Sequence, residues 1–307
     1  MGRLITIVGP TAVGKSDLAL EVAQHLQGEV VNADSRQVYR FMDIGTSKPS
    51  PQERRLVPHH LIDIVDPDQD FSLALYQRLA YQVIGEILKR GKLPLLVGGT
   101  GLYIWAVVEG WQIAEVPPDW EFRQRLERLA AEKGTLTLYQ ELQRLDPEAA
   151  ARIHPRNVRR LIRALEVISR TGHPLSQLQR KGPPPFEVLI LGLTMERQAL
   201  YARIDARVET MIERGWVGEV EKLRAMGYAL SLPALSGLGY RQIGLFLEGK
   251  LDLPTAVQRI KHETHRFARH QYAWFRPRDE RIRWLEAGPG VTAQALSLVK
   301  DWLGPSR

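Results

Sequence analysis

The chain has 307 residues, 42 basic against 35 acidic side chains for a formal charge of +7, 44% hydrophobic residues and no cysteine. This is ordinary globular composition, which excludes collagen-like, fibrous and disordered chains, and the missing cysteines exclude disulfides, thiolate nucleophiles and Cys-ligated zinc. Met1-Gly2-Arg3 runs straight into a short apolar stretch and no apolar run approaches the ~20 residues that cross a bilayer, so we expect a cytoplasmic protein without leader or membrane span.

Leu4–Val8 is branched and apolar like a buried strand, and an amphipathic helix to about Leu26 follows the loop Gly9–Ser16. Glu29–Ala33 reads as a second strand, ending at Asp34. Ser72 caps a helix that runs to about Arg90 and stops at Gly91, and Leu93–Val97 is a third strand, ending at Gly98-Gly99-Thr100-Gly101. Strand and helix alternating in this way predict an α/β fold, a parallel sheet flanked by helices. After Pro117-Pro118 the pattern changes to helices only: Trp120–Glu132, Thr137–Leu145 and a long basic one near Pro155–Arg170. Val188–Leu193 returns to a buried strand, and helices follow at Glu196–Glu213, Gly218–Met226, Tyr240–Glu248 and Pro254–Phe275. We therefore expect a P-loop core over 1–117 and 188–307, with an all-helical insertion over 118–187.

The positive charge is not spread evenly. Residues 120–181 hold 13 basic and 7 acidic groups, and residues 256–283 hold 8 and 3. Arg156, Arg160 and Arg163 fall roughly on one helical face. Such a surface attracts polyanions, the phosphate backbone of nucleic acid foremost, unless the arginines are solvated or paired within the fold.

Gly9-Pro10-Thr11-Ala12-Val13-Gly14-Lys15-Ser16 lies between a predicted strand and a predicted helix, the context that makes this spacing a P-loop. Its backbone N–H groups converge on an anion at the helix N-terminus, Lys15 adds a point charge, and Ser16 can ligate magnesium. ATP and a diphosphate ester satisfy that geometry equally. Asp34, at the carboxyl end of the second strand, should face the loop across the ligand crevice. There it can ligate magnesium, hold a hydroxyl or accept a proton, or it simply caps the next segment. Thr100 can donate to a substrate oxygen or cap a turn. His262 and His265 lack the four-residue spacing of a zinc-protease helix, His59-His60 reads as a satisfied loop pair, and Tyr272, Trp274 and Phe275 read as core.

Taken in order, GPTAVGKS at 9–16, NADSRQVY at 32–39, GTSKP at 45–49, HHLID at 59–63, GGTGLY at 98–103, RRLIRALE at 159–166 and GLGYRQ at 237–242 resemble the tRNA dimethylallyltransferase (tRNA isopentenyltransferase) family, bacterial type, over nearly the whole chain. The resemblance implies transfer of the dimethylallyl group of dimethylallyl diphosphate to N6 of adenosine 37, in tRNAs reading codons that begin with U, with Mg2+ as cofactor. It implies Asp34 as general base assisted by Thr100. It also implies a diphosphate site from Gly9, Pro10, Thr11, Ala12, Val13, Gly14, Lys15, Ser16 and Arg207, with Arg203 a weaker candidate than Arg207. Contacts to the tRNA anticodon stem-loop would come from Asp34, Ser35, Arg36, Gln37, Thr100, Arg123, Arg159, Arg160, Leu161, Ile162, Arg163, Gly237, Leu238, Gly239, Tyr240, Arg241 and Gln242. The target adenine would have to flip out of its stack. One chain carries every part, so we expect a monomer. A P-loop small-molecule kinase is the alternative, but a helical insertion of this size far exceeds a kinase lid. An adenine-nucleotide isopentenyltransferase would have little use for a basic insertion, and intact Lys15, Ser16, Asp34 and Thr100 argue against a non-catalytic RNA-binding module.

Overall fold

The structure, a computed structural model, describes residues 2–178, 180–183 and 185–304. In chain order it begins β1 (Gly2–Val8), α1 (Lys15–Leu26), β2 (Gly28–Asn32), α2 (Pro51–Leu56), β3 (His59–His60), α3 (Leu73–Lys89), β4 (Leu93–Val97) and α4 (Gly101–Val108). The middle section is β5 (Trp111–Gln112), α5 (Trp120–Lys133), α6 (Thr135–Leu145), α7 (Pro147–Arg152), α8 (Val158–Thr171), α9 (Leu175–Leu178) and β6 (Arg180–Lys181). The chain closes with β7 (Phe186–Thr194), α10 (Arg197–Glu213), α11 (Trp216–Ala225), α12 (Tyr240–Leu247), α13 (Leu253–Trp274), β8 (Ile282–Glu286) and α14 (Val291–Leu303). Among the described residues no helix is long and apolar enough to cross a membrane.

Two compact units result. The first comprises Met1–Ser72, Tyr76–Val108 and Pro185–Arg307, the second Leu73–Leu75 and Glu109–Pro184. In the first, six parallel strands are ordered β3-β2-β4-β1-β7-β8. Central strands of a parallel sheet are covered on both faces, and Leu4, Ile5, Ile7 and Val8 of β1 are accordingly all 0% exposed. The expected α/β sheet is therefore present. β8, α2 and α14 were not expected, although Ala295 and Val299 of α14 are a buried i, i+4 pair that helical periodicity can reveal.

The second unit is helical around Leu138, Leu142, Leu161, Ile162 and Leu165. Its limits differ from the expected 118–187. Trp111–Gln112 pairs antiparallel with Arg180–Lys181 and closes the unit ahead of the proline pair, a long-range pairing that no local pattern shows. The expected helix from Pro155 is also corrected. Asp146, with Pro147 behind it, caps α7 by accepting from Ala149 N–H, and Asn157 starts α8 by accepting from Arg160 N–H.

Candidate active site

Parallel pairing decides where the motifs go. Ile7 of β1 and Asn32 of β2 both register against Val97 of β4, so all three strands point their carboxyl ends to one edge. The chain leaves that edge as the P-loop, as Asp34-Ser35 and as Gly98–Thr100 respectively. This is the crevice position for ligands of open α/β sheets.

The P-loop is held tightly against the sheet. A Cβ on Gly9, whose φ is +143°, would lie 2.5 Å from the Leu193 carbonyl oxygen, so the position requires glycine. Ala12 also has a positive φ, +63°, uncommon for a residue with a Cβ. Lys15 folds back to donate to the Pro10 carbonyl at 2.7 Å. Burial pushes its ammonium down to about 7, the Arg207 charge adds to the effect and the Asp34 carboxylate opposes it. Two buried cations, Lys15 and Arg207, thus stand near one carboxylate, a setting that favours an anion. Ser16 is exposed in the first turn of α1. No group of three His, Asp or Glu side chains among the described residues is arranged to hold a metal. The donor set at the loop is a lone hydroxyl, which suits magnesium arriving on diphosphate oxygens and not a protein-built cage.

Asp34 and Thr100 are joined through Ser35. Ser35 N–H donates to Thr100 Oγ1 at 3.1 Å, Thr100 Oγ1 contacts Ser35 Oγ at 3.3 Å, and Thr100 N–H donates to the Ala33 carbonyl at 3.3 Å. Asp34 Oδ1 accepts Arg36 N–H at 2.8 Å. Arg207 belongs to the same cluster: burial lowers its pKa while Asp34 and Asp17 oppose the shift, and its Nε donates to Ser47 Oγ at 3.0 Å. Arg203, one turn earlier on α10, pairs with Asp17 at 3.6 Å.

Several expected tRNA contacts are built into the fold instead. Leu161 and Ile162 are 0% and 3% exposed, packed in the helical core, so their side chains reach nothing outside it. Arg123 and Arg163 both bind the buried Glu166: Arg123 Nε at 2.7 Å and Nη2 at 2.8 Å, Arg163 Nη1 at 2.5 Å. Burial pushes the Glu166 carboxyl up, but bonds from Arg123, the Asp119 N–H and Arg163 outweigh it and hold the group below its ordinary value. Arg159 and Arg160 differ: both are exposed and make no ion pair among the described residues.

At 237–242 the pattern repeats. Tyr240 and Gln242 are each 1% exposed; the tyrosine hydroxyl donates to Glu219 at 2.6 Å and Gln242 Oε1 accepts Gly239 N–H at 2.8 Å. Gly237 lies against the Arg36 guanidinium, which donates to the Pro233 and Ala234 carbonyls at 2.7 and 3.1 Å. Arg241 pairs with Glu263 at 2.9 Å, and Leu238 is partly exposed. Gln37 donates to the Thr46 and Ser47 carbonyls at 3.0 and 3.1 Å.

Two residues that no motif flagged organise this region. Glu219 of α11 accepts the N–H groups of Asp43, Ile44 and Gly45 at 2.7, 2.7 and 3.2 Å, besides the Tyr240 hydroxyl. Trp216, 2% exposed, fills the space beside Gly45 and Gly239, where added Cβ atoms would fall 2.1 and 2.0 Å from its ring. One turn of α11 therefore ties the loop bearing Ser47, and through it Arg207, to the loop before α12. The glycines at 45 and 239 hinted at a close approach; the identity of the partner is not local information.

The comparisons with known proteins point to one family. The IPP transferase family profile matches residues 37–278 and an isopentenyl transferase profile matches 2–60. The chain is 52% identical over 300 residues to the tRNA dimethylallyltransferase of Roseiflexus sp. (strain RS-1), with 98% of each chain covered. It is 56% identical over 276 residues to that of Chloroflexus aggregans, covering 90% of this chain and 93% of the relative. Among solved structures, the full-length tRNA isopentenylpyrophosphate transferase of Bacillus halodurans matches with a TM-score of 0.72 at 40% identity, covering 99% of this chain and 96% of that one. A eukaryotic dimethylallyltransferase captured acting on tRNA matches at 0.84 and 27% identity, covering 99% and 80%. With its P-loop, Asp34 and Thr100 on one sheet edge and these relatives along almost its full length, the chain belongs to the IPP transferase family of tRNA dimethylallyltransferases.

Proposed function

We propose that the chain transfers the dimethylallyl group of dimethylallyl diphosphate to N6 of adenosine 37, in tRNAs reading codons that begin with U. The observation that carries the reading is the shared sheet edge: an anion cradle with surplus positive charge stands beside a carboxylate and a threonine hydroxyl. The exocyclic amine of adenine is a weak nucleophile because its lone pair is delocalised into the ring. As N6 attacks the first carbon of the prenyl group, that carbon's bond to oxygen breaks and the diphosphate leaves with the electron pair. Asp34 Oδ2, which the Arg36 N–H leaves unengaged, takes the N6 proton. Thr100, fixed through Ser35, orients the amine. Lys15, Arg207 and the loop N–H groups stabilise the charge gathering on the diphosphate. Ser16 would hold magnesium beside the loop, and the ion would supply charge neutralisation to the leaving group.

On the helical unit, Arg159 and Arg160 are the side chains of α8 free to follow a tRNA backbone, with Arg156 just ahead of the helix also exposed. We also propose that the working unit is a monomer, because the cradle and the base come from one chain. The test is incubation with labelled dimethylallyl diphosphate, unmodified tRNA and magnesium, beside a parallel ATPase assay. Label in N6 of adenosine 37 is the expected result. ATP turnover without label in tRNA would replace the reading with a kinase.

A further inference from the structure

Gln271 sits in the last turn of α13 and is 3% exposed. Both ends of its amide are in use. Its Oε1 accepts Thr11 N–H at 2.7 Å, in the P-loop, and its Nε2 donates to the Gly99 carbonyl at 2.9 Å, one residue before Thr100. A backbone donor at one end and a backbone acceptor at the other leave a single amide orientation that satisfies both. The approach is close: a Cβ on Gly99 would fall 2.3 Å from Gln271 Nε2, so glycine at 99 is what lets the amide reach the carbonyl. The same helix end is pinned again where Trp105 Nε1–H donates to the Trp274 carbonyl at 3.0 Å.

Two consequences follow from this contact. The Thr11 N–H, midway along a loop whose donors otherwise serve an anion, is committed to a side chain from the far end of the sequence. The loop holding the leaving group and the loop holding Thr100 are spaced by one amide, and Thr100 passes that constraint through Ser35 to Asp34.

We propose that Gln271 is a positioning residue for the transfer, a strut that sets the distance between the diphosphate cradle and the Thr100–Asp34 base. The proposal rests on the prenyl-transfer reading above. A strut between donor and base acts on the chemical step and not on either substrate's affinity, because each loop keeps its own binding groups.

The experiment is a double-mutant cycle on the full-length chain, with single-turnover transfer to tRNA measured for wild type, Gln271→Leu, Thr100→Ala and the pair. Equilibrium affinities for dimethylallyl diphosphate and tRNA and the melting temperature are followed alongside. Gln271→Leu is expected to slow transfer about 10- to 100-fold, the size of effect that a misplacement on the ångström scale produces. Both affinities are expected to stay within about threefold. The double variant is expected to lose no more than about threefold beyond the worse single, since both changes break one linkage. Gln271→Glu, of equal size, keeps the acceptor for Thr11 and removes the donor to Gly99, and is expected to behave like the leucine variant.

Multiplicative losses in the pair overturn the proposal, as does transfer within about twofold of wild type in either folded variant. Affinity for the diphosphate falling in step with the melting temperature also overturns it, and so does a Gln271→Glu chain that does not fold, because both make the residue part of the core. A wild-type chain that transfers nothing overturns the prenyl-transfer reading and the strut together; an active wild type with indifferent variants overturns the strut alone.

Discussion

In the helical unit a carboxylate lies buried under two arginines, whereas in the sheet unit a lysine and an arginine lie beside one carboxylate. Glu166, 0% exposed, collects Arg123, Arg163 and the Asp119 N–H, so the charge there is closed on itself. At the sheet edge Lys15 and Arg207 share the field of Asp34, and burial, with the Arg207 charge adding to it, drives Lys15 down to about 7. The first arrangement is closed by ion pairs, whereas Lys15 and Arg207 make none among the described residues. Counting charges along the chain cannot tell them apart: the most basic segment contains the closed set, and the segment 1–119, with 11 basic and 14 acidic groups, contains the P-loop and Asp34. Availability of charge, not its sum, separates structure from function.

The comparison breaks most sharply at Asp34. Asp34→Asn keeps the size and the bond from Arg36 N–H but cannot take a proton. Single-turnover transfer is expected to drop on the order of 10²–10⁴-fold, with tRNA affinity near wild type and no recovery across a magnesium series. Normal turnover removes the base assignment; recovery with metal reassigns Asp34 to the ion.

The closed set should answer in stability instead. Removing either arginine leaves Glu166 buried with one of its two cationic partners, so Arg123→Ala or Arg163→Ala is expected to cost about 3–5 kcal/mol in the helical unit, read by hydrogen exchange at the Leu161 and Leu165 amides. The pH dependence has a definite sign. A carboxyl held below its unfolded value contributes in full above that value, about 4.3 for glutamate, and loses its contribution as pH falls through the folded value. Wild-type protection at those amides should therefore decline below about pH 4, and decline less in Arg123→Ala. Protection independent of pH in both would show that the pair carries no linkage.

Glu219 sharpens the same contrast from within the sheet unit, where a carboxylate closes on backbone N–H groups. Glu219→Ala strands the Asp43, Ile44 and Gly45 donors, and hydrogen bonds to a charged group are each worth about 1.5–3 kcal/mol. A stability loss of about 2–3 kcal/mol is expected, together with a raised KM for dimethylallyl diphosphate, because Ser47 and hence Arg207 lose their footing. An unchanged KM would mean that Ser47 does not hold Arg207 in solution.

The smallest effect concerns free charge on α8. Replacing Arg159 and Arg160 by alanine together should lower the slope of log affinity for tRNA against log salt by about 1.4–1.8. Arg163→Ala should leave the slope alone while destabilising the unit. A slope that responds to Arg163 instead would mean that tRNA opens the Glu166 joint.

Much of this molecule is legible in its sequence for a physical reason: the informative signals are local. The spacing Gly9-x-x-x-x-Gly14-Lys15-Ser16 between a strand and a helix marks a P-loop, and Leu4–Val8, Leu93–Val97 and Val188–Leu193 read as buried strands from a few neighbouring residues. The ordered motifs likewise carried Asp34 and Thr100 as candidates, the family resemblance added Arg207, and parallel pairing through Val97 set the first two beside the P-loop. What tertiary structure alone decided are pairings across long separations. Arg163 looked like a phosphate contact until Glu166, which it shares with Arg123, and the Val116 carbonyl claimed it. Tyr240 and Gln242 share a motif with the exposed Arg241, yet only folding turned them inward. Glu219 and Gln271 carry no spacing signal, because their meaning lies in backbone groups 172 to 260 residues away. Residue type and local period determine which elements form and which chemistry they can hold. Which charges stay free, and which side chains set the distances between reacting groups, depends on what the remote chain brings against them.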